Sequence, residues 1–271
     1  MFRLPASGVA ALEARDAADP EPGWECFDGT GAGAQFAGGA PGAQVTRYPD
    51  GSGMRMEAGE RVVVQMHYHY AHTAPPDQSE MVFELIDGDT SDLREVTYDV
   101  MLGPAEIPCA ADQAGPLCDR DAKLAQLVDE FGPFAAVIPR ALNARCGVTA
   151  EDFAAMTTGV AEASCVHRTK RTGVVNYAAG HMHEVGEAFR MTLRPGQADE
   201  VVLLDIDNWD FSWQRGYQPV DPVRIEAGDE ILIECRWNRD RKPQTEPSYI
   251  VWNEGTEDEM CYSTISVVAD P

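Results

Sequence analysis

The chain has 271 residues, of which 44% are hydrophobic, enough apolar surface for one large domain or two moderate ones. Its formal net charge is −24, because 45 acidic residues face only 21 basic ones. Nucleic acids and anionic lipid surfaces repel such a protein, so neither is expected as a partner. No apolar run approaches the roughly 20 residues of a membrane helix, and the N-terminus MFRLPASGV lacks the layout of a signal peptide.

The first 90 residues predict short strands between loops. Residues 20–58 are rich in Gly, Pro and Ala, and the stretch from Arg61 to Tyr70 then alternates as a half-buried strand does. A second apolar strand is predicted from Met81 to Ile86, before the turn-like stretch DGDTSD. We therefore expect a domain boundary near residue 90.

The remainder of the chain predicts strands around one helical region. Between residues 121 and 163 the spacing of Leu, Val, Phe, Ala and Met is helical, which indicates a helical insertion. Strand patterns follow at Val174–Ala178, His181–Leu193, Glu200–Ile206, Glu230–Trp237 and Tyr262–Val268. Many short strands with few helices predict a mostly β protein. We expect two jelly-roll-like β-sandwich domains, an incomplete one at 1–90 and a second at 91–271 that carries the insertion.

The cysteines favour disulfides over a metal site. None of the seven forms a C-x-x-C pair, the usual zinc or redox motif. Their proximity in sequence suggests that Cys109 pairs with Cys118 and Cys146 with Cys165. Disulfides imply an oxidising compartment, so we expect the full-length protein to be extracellular or periplasmic.

Four of the six histidines form two pairs at i, i+2 spacing, His67 with His69 and His181 with His183. On a strand this spacing puts both side chains on one face, where two imidazoles can ligate the same copper, zinc or iron ion. In the predicted register Gln65 shares the face of His67. An H-x-H pair alone more often serves ordinary hydrogen bonding, so the spacing leaves both interpretations open.

Two longer motifs carry a resemblance to a known family. The string Gly180-His-Met-His-Glu-Val-Gly186 is followed far downstream by Asp258-Glu-Met-Cys261. Both are similar to motifs of the copper type II ascorbate-dependent monooxygenases, in which an H-x-H pair and the methionine of D-E-M-C hold one copper. The resemblance implies that His181, His183 and Met260 are the catalytic copper ligands. A thioether beside two imidazoles suits this role, because soft sulfur favours Cu(I).

The resemblance continues upstream of these motifs. Residues 63–68 (VVQMHY) look like the family's V-L-Q-V-H-Y strand, whose histidine binds a second, electron-transfer copper. This implies His67 as a ligand of the second copper and Gln65 as a residue lining the cleft between the metals. Shorter matches extend the likeness over almost the full chain: Trp24–Cys26, Ala40–Gly42 and Tyr48–Gly53.

The remaining histidines have no matched role. His69 and His72 lie beside His67 but have no counterpart in the family's motif, so we interpret them as bystanders. His167 stands in the basic cluster His-Arg-Thr-Lys-Arg, which predicts a solvated surface position.

The resemblance also implies a disulfide between Cys235 and Cys261, because the family links a strand cysteine to the cysteine of D-E-M-C. That bridge would clamp Met260 in place. The family's counterpart of Cys26 bonds to a cysteine nearer the N-terminus, in a segment that this chain does not contain.

Two departures from the family affect the expected function. The family's electron-transfer copper takes two further ligands from an adjacent His-His pair, which this sequence lacks. The chain opens where the strand after that pair would end, so we expect it to be N-terminally incomplete. One copper keeps three matched ligands, and the other keeps only His67. This predicts one tight copper site in this chain and two coppers in a complete enzyme.

The second departure concerns the substrate. Ala179 replaces an arginine that binds the substrate carboxylate in peptide-amidating members, which disfavours a peptidyl-glycine substrate.

The resemblance implies a monooxygenase that uses O2 and ascorbate to hydroxylate a C–H bond of a small-molecule substrate. The missing His-His pair favours an alternative, a copper-binding module without oxygenase activity. A third hypothesis is a carbohydrate- or partner-binding β-sandwich whose histidines are structural.

Overall fold

The computed structural model describes residues 1–21, 23–26, 33–42, 45–68, 73, 76, 78–86, 88–242 and 245–270. The strands in this part of the chain are β1 (Phe2–Leu4), β2 (Ala34–Gln35), β3 (Ser52–Gly53), β4 (Arg61–Val63), β5 (Arg94–Gly103), β6 (Glu106–Ile107), β7 (Val160–Arg168), β8 (Gly173–His181), β9 (Gly186–Leu193), β10 (Val201–Ile206), β11 (Gly216–Tyr217), β12 (Val223–Ile225), β13 (Glu230–Asn238), β14 (Ile250–Val251) and β15 (Cys261–Ala269).

The α-helices of the described residues are α1 (Ala6–Ala18), α2 (Arg120–Phe131), α3 (Phe134–Cys146) and α4 (Ala150–Phe153). Helices α2 to α4 confirm the predicted helical insertion, although its last residues, 160–163, belong to strand β7. Helix α1 was not predicted, and none of its residues is buried. None of the helices in the described ranges is long and apolar enough to cross a membrane.

Two mainly antiparallel sheets form the body of the protein. The larger has the order β11-β8-β15-β5-β3, with β12 also paired to β8, and the smaller has the order β10-β9-β13-β7. Side chains alternate between core and solvent along β7 and β13, as expected for sheets covered on one face. One buried cluster contains Ala178 and Ile265 from the larger sheet together with Phe189 and Ile233 from the smaller. The sheets therefore pack face to face, which confirms the mostly β fold and the β-sandwich; the jelly-roll connectivity stays a prediction.

Three disulfides tie these elements together, and their pairings are those reached from the sequence. Cys235–Cys261 joins β13 of the smaller sheet to β15 of the larger, across the core. Cys146–Cys165 joins α3 to β7, and Cys109–Cys118 closes the loop before α2.

The N-terminal part is built of short strands. Strand β1 lies between β2 and β4 in a small antiparallel sheet, whereas β3 joins the larger sheet as a parallel neighbour of β5. That pairing crosses the predicted boundary near residue 90, and the division into domains 1–90 and 91–271 stays a prediction.

Two strand predictions in this region are wrong: one strand is shorter than predicted, and the other is absent from the described residues. The strand expected over Arg61–Tyr70 ends at Val63, and residues 64–68 are irregular. Residues 81–86 form no strand, and Val82 and Leu85 are 85% and 74% exposed. An apolar alternation becomes a strand only where another strand pairs with its backbone, and no strand of the described residues pairs with residues 64–68 or 81–86.

The helical insertion packs against the short strand pair β6–β14. Its apolar contact is a second buried cluster: Leu124, Leu127, Ala135, Ala136, Tyr249 and Val251. Beneath the helices, the fully buried Glu106 of β6 accepts hydrogen bonds from Arg120 and from Asn143. The insertion is thus attached to the strands that lead into the Asp258–Cys261 motif.

Candidate metal centre

The two histidines of the downstream pair lie at the end of strand β8. The sequence predicted both on one strand running from His181 to Leu193, but β8 ends at His181 and β9 begins only at Gly186. His183 therefore stands in the turn between the two strands. Met182 is fully buried in the core, and the imidazole rings on either side of it remain neighbours, with centroids 5.2 Å apart.

Met260 lies at the same end of the larger sheet, directly before strand β15. Strand β15 pairs with β8 so that Tyr262 lies opposite His181, which puts Met260 across from the turn that holds His183. Met260 is buried, with 6% of its surface exposed. The main-chain N–H groups of His183 and Met260 both donate to Oε2 of Glu259, at 2.8 and 3.1 Å. The backbones of two proposed ligands thus share one carboxylate oxygen.

Hydrogen bonds at Nδ1 define the orientation of both imidazoles. Nδ1 of His183 lies 3.0 Å from the carbonyl oxygen of Asp258, which can only accept. Nδ1 of His181 lies 2.5 Å from Oε1 of Gln214, whose amide group is oriented by donation from Nε2 to the carbonyl of Phe211. Both Nδ1 atoms therefore carry the proton, and the lone pair of each ring is on Nε2. This is the arrangement by which outer hydrogen bonds prepare histidines for a metal ion.

Burial keeps both imidazoles neutral near pH 7. It lowers the pKa of His183 to about 3, helped by the adjacent His181 and opposed by the carbonyls of Asp258 and Gly255. Burial also lowers the pKa of His181, and the hydrogen bond to Gln214 opposes that change. A metal ion would therefore displace no proton from either ring.

Two buried carboxylates support the site from behind. Glu259 is fully buried and accepts hydrogen bonds from the N–H groups of His183, Val185 and Met260 and from the indole of Trp237. Burial raises the pKa of Glu259 to about 7, and these donors oppose the rise. Burial likewise raises the pKa of Asp258 to about 6, against the effect of the nearby Lys123.

His67 lies near the pair but on irregular backbone. Its Nε2 is 3.4 Å from Oε2 of Glu254, and its side chain is 52% exposed. Burial of the ring and the nearby ammonium group of Met1 lower the pKa of His67. A positive charge on His67 in turn helps, as the smallest of the causes, to lower the pKa values of His181 and His183. The assignment of His67 to a second copper stays a prediction, and His69 and His72 lie outside the described residues.

Gln65 contacts the N-terminal segment. Its Nε2 donates to the carbonyl of Cys26 at 3.2 Å, and its side chain lines a cavity of about 590 Å³ together with Leu12 of α1 and Trp24. The position of Gln65 in a copper cleft stays a prediction.

The expectation for His167 is wrong. It is 5% exposed, because it points inward from β7 where the sequence predicted a solvated position. Its basic neighbours Arg168 and Lys170 are exposed on the other side of the chain. The alternation of the strand therefore outweighs the charge of the cluster.

Sequence patterns missed Gln214 and Lys123, both of which contact the motif residues. Gln214 stands in a loop before β11, and no local signal distinguishes it. Lys123 appeared only as part of a helical pattern. Among the described residues no three His, Cys, Asp or Glu side chains converge, so the candidate set is two imidazoles and one thioether. Such mixed nitrogen and sulfur donors suit Cu(I).

Comparison with known proteins finds one family whose model matches part of this chain. Residues 142–266 match the family model of the C-terminal domain of copper type II ascorbate-dependent monooxygenases. The matched range contains both histidines of the pair, Met260 and the Cys235–Cys261 bridge. No curated protein matches the chain significantly. The match covers 125 of the 271 residues, so it is a likeness of this region to the C-terminal domain of that family.

Proposed function

We propose that this chain binds one copper ion through His181, His183 and Met260 and serves as part of a monooxygenase. The reaction is the hydroxylation of a C–H bond in a small-molecule substrate, with O2 as oxidant and ascorbate as reductant. The observation that carries the proposal is the pair of imidazoles with both Nδ1 atoms hydrogen-bonded. Bound copper supplies the electron transfer and dioxygen chemistry of the family.

The protein's own contribution is to preorganise the donors. Two neutral imidazoles offer Nε2 without releasing a proton, and the sulfur of Met260 adds a soft donor that favours Cu(I). Glu259 holds the backbones of His183 and Met260 at fixed distances, so little rearrangement is needed on binding. His67 is proposed as a ligand of the electron-transfer copper, and Gln65 as a residue of the cleft between the two metals.

Three disulfides suit an oxidising compartment, which supports an extracellular or periplasmic site of action. The net charge of −24 fits a small-molecule substrate rather than nucleic acid.

The second candidate function is a copper-binding module without oxygenase activity. It is favoured because the 271 residues contain no adjacent His-His pair to accompany His67. A single copper ligand binds too weakly to hold an electron-transfer metal by itself.

Anaerobic titration with Cu(I) against a chromophoric chelator tests the binding that both candidates share. We expect one tight Cu(I) per chain, lost in His183→Ala and retained in His67→Ala. Ascorbate-dependent oxygen uptake by the copper-loaded chain then distinguishes the two candidates. Absence of tight Cu(I) binding in the unaltered chain would refute both.

A further inference from the structure

One charged side chain of helix α2, Lys123, contacts the D-E-M-C motif. Nζ of Lys123 lies 3.1 Å from Oδ1 of Asp258. The side chains of Lys123 and Asp258 are only 10% and 4% exposed, so this ion pair is shielded from water. Lysine and aspartate are rarely buried unless they are paired, which marks the contact as a specific one.

The same aspartate orients a proposed copper ligand through its backbone. The carbonyl of Asp258 accepts the hydrogen bond from Nδ1 of His183 at 3.0 Å, while its N–H donates to the carbonyl of Gly255 at 3.0 Å. Any rotation of the Asp258 peptide would move that carbonyl away from the imidazole. An ion pair that holds the Asp258 side chain therefore also restrains the orientation of the His183 ring.

Helix α2 is itself held firmly, so it can serve as an anchor. Asp119 caps its N-terminus by accepting from the N–H of Ala122 at 2.9 Å, and the guanidinium of Arg120 binds the buried carboxylate of Glu106. The Cys109–Cys118 disulfide closes the chain just before the helix, and Leu124 packs into the second buried cluster.

We propose that Lys123 is a positioning residue for the copper site, acting through Asp258 on His183. This inference rests on the proposed copper binding by His181, His183 and Met260. Lys123 lies outside the range 142–266 that matches the family model, so this support comes from the chain's own insertion.

The physical basis is the high cost of leaving one member of a buried ion pair alone. Without the ammonium group, the Asp258 carboxylate loses its charged partner and is expected to move toward water. That movement loosens the peptide that holds Nδ1 of His183. Loss of such outer contacts typically weakens metal binding by about 10- to 100-fold.

The test compares Cu(I) affinity in four folded proteins by anaerobic chelator competition: the unaltered chain, Lys123→Met, Lys123→Arg and Lys170→Met. Lys170 is exposed and serves as the matched control for loss of one lysine. We expect Lys123→Met to bind Cu(I) about 10- to 100-fold more weakly. Lys123→Arg should restore most of the affinity because it restores the charge, and Lys170→Met should bind as the unaltered chain does.

A double variant, Lys123→Met with Asp258→Asn, separates positioning from loss of fold. It removes both charges and leaves no buried ion without a partner, so it should unfold near the temperature of the unaltered chain. We expect its Cu(I) affinity to stay low, with fewer ordered imidazole ligands in the copper X-ray absorption spectrum.

Recovery of full affinity in the double variant, or unchanged affinity in Lys123→Met, would overturn the role of Lys123. These outcomes differ from failure of the proposed function itself, in which the unaltered chain would bind no Cu(I) tightly.

Discussion

The carboxylate of Glu259 and the main chain of His183 are joined by a hydrogen bond of 2.8 Å in the protein interior. The two residues belong to different motifs, Glu259 shortly before β15 and His183 in the turn after β8. Glu259 also accepts from Val185 and from its own neighbour Met260. A single buried acid thus holds the backbones of His183 and Met260 relative to each other.

Glu259→Gln is expected to lower the free energy of unfolding by about 3 kcal/mol. The reason is that the single amide oxygen of glutamine replaces two carboxylate oxygens, which together accept four hydrogen bonds. Urea denaturation at pH 8, where the carboxylate is ionised, measures the change. Glu257→Gln is the matched control, since the Glu257 side chain is 62% exposed. A loss below about 0.5 kcal/mol for Glu259→Gln would show that water replaces the missing acceptor.

Met260→Leu should weaken Cu(I) binding on the order of tenfold and Cu(II) binding much less, because a thioether contributes little to the harder ion. Leucine keeps most of the volume of the buried side chain, so packing is largely preserved. Met182→Leu is the control, because Met182 is fully buried between the two histidines but points into the core. Chelator competition measures both oxidation states. Equal losses for Cu(I) and Cu(II) would mean that Met260 acts through packing alone.

Removal of the Cys235–Cys261 disulfide by paired alanine substitutions should reduce the free energy of unfolding by about 3.5 kcal/mol, from the entropy of a loop closed over 26 residues. It should also lower Cu(I) affinity, because Cys261 directly follows Met260. The Cys146–Cys165 bridge spans 19 residues and should cost about 3 kcal/mol on removal, with no effect on copper. Thermal unfolding and Cu(I) titration separate the two effects. If both pairs changed Cu(I) affinity alike, the bridge beside Met260 would have no special role.

The motif residues of the candidate site could be picked out in the sequence because each motif is short and local. His181 and His183 are two residues apart, and Met260 stands in a four-residue string. Gln214 and Lys123 could not be found in this way, because their contacts arise only when a loop and a helix fold back onto the motifs. Long-range contacts of single polar residues leave no periodic trace in a sequence.

The fold was predictable in its long strands and less so in its N-terminal part. Strands β13 and β15 have nine residues each and were expected nearly at their true limits, and the side chains of β13 alternate in burial. Strand β5 was missed, although it pairs with β15 along its length, because its alternation is interrupted by charged residues. Residues 81–86 show the opposite error, since their apolar pattern has no strand beside it in the described structure.

His167 is expected to make the protein less stable as the pH falls from about 6.5 to about 4. Burial, and then the neighbouring Arg145, lowers the pKa of His167 from 6.5 to about 4, while the Leu102 backbone opposes the change. Within this window the unfolded chain takes up a proton that the folded chain refuses, so the stabilisation present above pH 6.5 is lost toward pH 4. The difference of about 2.5 between the two pKa values corresponds to about 3 kcal/mol.

His167→Gln removes this titration and can still accept the hydrogen bond from Arg145, which lies 3.0 Å from Nδ1 of His167. The free energy of unfolding, measured by urea denaturation between pH 4 and 7, should therefore fall less steeply on acidification in His167→Gln than in the unaltered chain. Val166→Gln, an exposed position on the same strand, should keep the original slope. If His167→Gln retained the slope of the unaltered chain, His167 would not be the group that causes the loss of stability. The folded protein would then accept a proton on this imidazole as readily as the unfolded chain does.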